Sequence, residues 1–125
     1  MTQEQYVGFD TAKLLKEKGF DVFVKSSYDV TGGFHQEGYF LIGNNDISAP
    51  TQALVMRWLR EVYNLYIQIM LDSWALGSHS GYYVVIQRVD NDFEMMLSDA
   101  LDDVFYKTHE EACEAAIKYC LENLI

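Results

Sequence analysis

The stretch from Ser48 to Asp72, SAPTQALVMRWLREVYNLYIQIMLD, constrains the fold most, because its hydrophobic period changes part-way along. On a helical wheel Thr51, Leu54, Val55, Trp58, Leu59 and Val62 share one face, with Arg57, Arg60 and Glu61 on the other side. From Leu65 the period is two. Leu65, Ile67, Ile69 and Leu71 point one way, and Tyr66, Gln68, Met70 and Asp72 the other. Such a pattern predicts an amphipathic helix running into a strand, joined at Tyr63-Asn64. Pro50 suits the first helical turn, where its missing N–H would have no partner anyway. Ser48 is the better capping side chain, with Ala49 as the alternative cap position. Trp58, near the middle of the apolar arc, is expected to be a core anchor burying on the order of 200 Å².

The flanking segments must supply what this unit packs against. Asp10 is predicted to cap a short helix through about Lys18, with Gly19 as its stop. Residues 1–8 carry no clear periodicity and read as a flexible lead-in. FDVFVK at 20–25 has strand composition, with Phe20, Val22 and Val24 on one face. A loop follows to Gly38, with Gly32-Gly33 its strongest turn signal. YFLI at 39–42 reads as a second strand. After Asp72, residues 73–81 read as a loop. Tyr82 to Val89 is the strongest strand and is expected in the centre of the sheet. Phe93 to Leu97 is its predicted hairpin partner, and Val104 to Tyr106 a last short strand. Thr108 with Glu111 forms a capping box for a final helix. The apolar face of that helix is Ala112, Cys113, Ala116, Ile117, Cys120, Leu121 and Leu124. The predicted fold class is therefore α+β. One domain over 1–125 carries an antiparallel sheet of about four to six strands, with three helices packed mainly on one face.

A length of 125 residues suits one domain that buries a real core without staples. Cys113 and Cys120 lie seven apart on the last helix, about 10.5 Å along its axis, too far for a disulfide. Two free thiols, no signal peptide and no spanning apolar run fit a cytoplasmic chain without membrane contact. The formal net charge of −10 is unevenly placed. Residues 1–60 hold seven acids and six bases, whereas residues 90–114 hold nine acids and only Lys107 as a base. That segment repels nucleic acid and attracts cations or a basic partner, so direct nucleic-acid binding is not expected.

Three blocks together carry a resemblance: TAKLLKEKGFD at 11–21, SAPTQALVMRWLREVYNLYIQI at 48–69 and THEEACEAAIKYCLENLI at 108–125. In that order they resemble a family of small proteins found in phages and in prophage-like regions of gut bacteria. The blocks cover about 40% of the chain, and the middle one is the most specific. The family often has His after Val62, where this chain has Tyr63, so no catalytic role carries over to that position. The resemblance implies a phage or mobile-element origin and a bacterial host. It implies no activity.

Residues with chemical capacity are few. His109 and Cys113, four apart, share a helical face on which one metal ion could touch both, but Cys120 is too distant to join and zinc wants four ligands. Gly77-Ser78-His79-Ser80-Gly81 has His where a nucleophile elbow needs Ser, and no Lys where a phosphate loop needs one. Asp90, Asp92 and Glu94 copy the start of a calcium loop, but Met95 and Leu101 stand where Gly and Glu are required. No catalytic, cofactor-binding or metal residue is assigned, and no cofactor is expected. The expected contact residues are Trp74 and Leu76, in a loop, and the acids Asp99, Asp102 and Asp103. Tyr66, Gln68 and Met70, if uncovered by a helix, would form a second face suited to self-association. The function expected from all this is that of a non-enzymatic phage or prophage accessory protein. It would act by contact with a host or phage protein and form homo-oligomers. One alternative is an acidic DNA mimic that inhibits a host nucleic-acid-handling protein. The other is a small enzyme using His35 or His79.

Overall fold

A computed structural model describes residues 5–36, 47–76, 79–88, 93–96 and 105–125. The elements run in the order α1 (Phe9–Glu17), β1 (Ser27–Tyr28), β2 (Phe34–His35), β3 (Ile47–Ser48), α2 (Gln52–Tyr63), β4 (Leu65–Leu76), β5 (His79–Arg88), β6 (Phe93–Met96) and α3 (His109–Asn123). The fold is α+β, and the antiparallel strands are divided between two small sheets, β2-β1-β3 and β4-β5-β6. The helices α2 and α3 pack on one face of the larger sheet, and α1 packs on α3 and β3. Among the described residues no helix is long and apolar enough to cross a membrane.

The helix-to-strand switch falls where the period changes. Asn64 adopts a left-handed conformation (φ 58°) and its N–H closes α2 on the Arg60 carbonyl. Asn tolerates that region better than most residues. The start of α2 lies later than expected. Thr51 is the cap, its Oγ1 accepting the Leu54 N–H at 3.2 Å. Pro50 therefore precedes the helix, where its carbonyl accepts the Val7 N–H, and Ser48 belongs to β3. Of the predicted face, Val55, Trp58 and Leu59 are buried, and Gln52 joins them. Val62 is instead 55% exposed.

Trp58 is buried between two rings, with Phe20 and Tyr63 each meeting it edge-on at 5.2 Å. That contact explains why 20–25 is not a strand. Helix α1 ends in a Schellman motif: Phe20 N–H bonds the Leu15 carbonyl, and Gly19 N–H that of Lys16. Gly19, at φ 85°, supplies the left-handed turn. Phe20 is thereby committed to the helix terminus and to Trp58. The short strands appear further on, as β1 and β2 within the expected loop, while the predicted strand at 39–42 lies outside the described residues.

In the larger sheet β5 is central, as its composition predicts, and β6 is its hairpin partner. Leu65, Ile67 and Ile69 of β4 face the helices beside Val84 and Ile86 of β5. Leu71 has the same parity but is 57% exposed. The expected loop at 73–81 is strand for most of its length. The β4–β5 pairing is regular through Asp72↔Gly81, shifts register, and resumes at Leu76↔His79. Tyr106 contributes one bridge, to Tyr82.

Helix α3 buries Ala112, Cys113, Ala116, Ile117, Cys120 and Leu121, the face read from sequence, with Leu124 half-buried. Thr108 Oγ1 accepts the Glu111 N–H at 3.1 Å. The chain enters this core early: Val7 is fully buried and Tyr6 pairs with Thr51, so 5–8 are part of the packed structure.

Candidate functional site

Three clusters of polar side chains stand out. The first is built on the turn joining β1 to β2. Asp29 Oδ1 accepts from Thr31 N at 3.0 Å, Thr31 Oγ1 at 2.6 Å and Gly33 N at 2.8 Å, and its Oδ2 lies 2.9 Å from His35 Nε2. Hydrogen bonds from Thr31, His35 and Gly33 hold its pKa well below the ordinary carboxylate range. A Cβ on Gly33 would come within 2.7 Å of Oδ2, so any side chain there would displace the Asp29 carboxylate. The sequence Asp-Val-Thr-Gly-Gly carries the signal of such a side-chain-closed turn. His35 therefore has a carboxylate partner, but both side chains lie open to solvent on a surface hairpin.

The second cluster lies where α1, α2 and α3 meet. Glu114 Oε2 accepts the Gly8 N–H at 2.8 Å and the Thr11 hydroxyl at 2.5 Å, while its Oε1 accepts Gln52 Nε2 at 3.0 Å. Helix α1 has no side-chain cap of its own. The expected cap, Asp10, sits inside the first turn and pairs with Lys13 at 3.6 Å. The carboxylate from α3 does the capping instead, 106 residues away in sequence. One of the nine acids in the segment 90–114 is thus an internal structural group. Nothing local in the sequence marks it, because the partners come from the other end of the chain.

The third is the pair His109 and Cys113, whose Nδ1 and Sγ are 3.5 Å apart. Both line a pocket of about 380 Å³ between the N-termini of α2 and α3, with Gln52, Arg60 and Glu110. Reactive cysteines are thiolates at neutral pH. Burial, with Glu110 and Glu114 nearby, pushes the Cys113 thiol up to about 11. It is therefore a protonated, buried thiol within hydrogen-bonding distance of His109 Nδ1. Burial likewise raises Cys120 to about 12, against the opposing pull of Arg88. Among the described residues no group of three or more metal-ligating side chains converges.

The expected contact residues Trp74 and Leu76 fall within β4 instead of a loop, and His79 opens β5. Asp99, Asp102 and Asp103 lie outside the described residues. The outer face of the larger sheet is better defined. Tyr66 (38% exposed), Gln68 and Met70 (40%) stand on the side away from the helices. Across the ladder lie Gln87, Val85 and Tyr83, with Phe105 edge-on to Tyr83 at 6.0 Å. No family model, curated protein or solved structure matches this chain.

Proposed function

We propose that the chain is a non-enzymatic accessory protein of phage or prophage type, acting by protein–protein contact in the cytoplasm of a bacterial host. The carrying observation is the outer face of the β4-β5-β6 sheet, on which no helix packs among the described residues and where Tyr66 and Met70 flank Gln68 in solvent. Exposed aromatic and Met side chains on a rigid sheet are what contact surfaces enrich. The polar clusters support the reading from the other side. Asp29 and His35 close a turn, Glu114 ties three helices together, and Cys113 is held protonated. The phage origin rests on the resemblance of the three sequence blocks alone.

The test is affinity capture from a bacterial lysate with the wild-type chain and with a Tyr66→Lys, Met70→Lys variant. One protein retained by the wild type and lost by the folded variant supports the reading. Equal capture by both removes the sheet face from it. The acidic-mimic alternative keeps the exposed Glu110 and Glu111 in the first turn of α3 as its support. It predicts instead that capture is salt-sensitive and is lost on neutralising Asp99, Asp102 and Asp103.

A further inference from the structure

We propose that the pocket between the N-termini of α2 and α3 is a site for a soft monovalent cation of the copper(I) and silver(I) kind, held by Cys113 Sγ, His109 Nδ1 and the thioether of Met56. The site stands apart from the contact reading above, which uses the opposite face of the larger sheet.

The first two ligands follow from the helix period. His109 opens α3 and Cys113 lies one turn on, so both side chains leave the same face. Their Nδ1 and Sγ are 3.5 Å apart. With metal–nitrogen and metal–sulfur bonds of about 2.0 and 2.3 Å, atoms at that separation subtend roughly 110° at a shared ion. That angle suits a three- or four-coordinate ion, so the pair is spaced as two ligands with a further position open. The Tyr82 ring meets the His109 ring edge-on at 5.9 Å and steadies it beside the thiol. Cys113 is only 2% exposed, so an ion reaches its sulfur through the pocket, past the exposed His109.

The remaining side chains select the ion. Among the described residues no third His, Cys, Asp or Glu converges on the pair, which leaves a hard or borderline divalent ion short of ligands. What α2 offers instead is sulfur, because Met56 lines the same pocket. Thiolate and thioether select soft ions, and imidazole suits copper. Charge points the same way. The metal takes the place of the thiol proton: the S–H bond breaks, an S–metal bond forms, and the proton leaves to solvent. One positive charge thereby replaces another, and the charge beside the Arg60 guanidinium, which also lines the pocket, is unchanged. A divalent ion would add a second positive charge there, at a Coulombic cost.

Silver(I) is the first probe, because its binding involves no redox step. In chloride-free buffer, calorimetric titration of the reduced wild-type chain should show one tight equivalent. Copper(I) should be retained in competition with bathocuproine disulfonate. Cys113→Ser should abolish the tight equivalent, and Cys120→Ser, two turns further along α3, should leave it unchanged. His109→Ala and the similarly sized Met56→Leu should each weaken silver(I) about 10-fold or more. His109 is exposed, so its variant keeps the fold and decides the matter even where Cys113→Ser does not fold. A His109→Ala chain that binds as tightly as wild type reduces the site to a bare thiol and overturns the inference. So does a Cys120→Ser chain that loses the tight equivalent. Displacement of bound silver(I) by stoichiometric zinc(II) overturns the choice of ion.

Discussion

Glu114→Ala tests the helix junction most directly. The substitution removes the acceptor of three hydrogen bonds, from Gly8 N, Thr11 Oγ1 and Gln52 Nε2. Thr11 and Gln52 are buried residues, so their donors lose a partner where water has little access, and only Gln52 keeps a second acceptor, the Glu110 carbonyl at 3.1 Å. Hydrogen bonds to a charged group contribute about 1.5–3 kcal/mol each, and a stranded buried donor costs about 1–3 kcal/mol. Allowing for partial rehydration, the expected loss is about 3–4 kcal/mol, a large share of the ~5–15 kcal/mol typical of a domain. Urea unfolding should show a lower midpoint at unchanged slope. Glu114→Gln should fall between the two, at about 2 kcal/mol. Its amide nitrogen would confront that of Gln52, and turning the Gln52 amide round would give up the Glu110 carbonyl. A cycle with Thr11→Val should return a coupling of about 1–2 kcal/mol. A loss below about 0.5 kcal/mol, the range of ordinary surface substitutions, or an additive cycle, would refute the capping role.

Three further outcomes follow from the geometry. Both thiols are raised in the folded chain, Cys113 to about 11 and Cys120 to about 12. Above about pH 8.5 the unfolded chain releases these protons while the folded chain keeps them, so stability falls as pH rises, by up to ~1.4 kcal/mol per unit for each thiol. Cys120→Ala should flatten that decline in pH-dependent urea titrations. Trp58→Ala should cost about 3–5 kcal/mol in the same assay, because the ring is buried against Phe20 and Tyr63. Gly19→Ala should cost about 1–2 kcal/mol through its left-handed backbone alone, since an added Cβ there meets nothing within 4 Å, and calorimetry should show the lower melting temperature.

What sequence could reveal was the part set by local period and local caps. Helix α3, the change of period at Asn64 and the central place of β5 are all of this kind, and each is as read. The misplacements have non-local causes. Phe20 alternates with Val22 and Val24 as a strand would, yet Trp58, 38 positions away, claims its ring, and the Schellman closure claims its backbone. Pro50 suited a first helical turn, but Thr51 offered the better-placed hydroxyl. Val62 and Leu71 have the right parity for burial, yet both stand in solvent, because parity places a side chain on a face and does not say how far the covering elements extend. The site residues divide in the same way. The Asp29 turn was legible in Asp-Val-Thr-Gly-Gly, whereas Glu114 looked like one more surface acid in a run of them.

The reach of that Glu114 bond also sets a timetable. Helix α1 is nine residues long, too short to persist alone. Its N-terminal Gly8 amide waits for an acceptor 106 residues further along. At ordinary ribosomal speeds of about 5–20 residues per second, that delay is roughly 5–20 s. During synthesis the first helix is therefore the last to be secured. The hairpin of β4 and β5 forms from neighbours, while the N-terminal segment stays open to proteases and chaperones until the final helix emerges and closes the molecule over it.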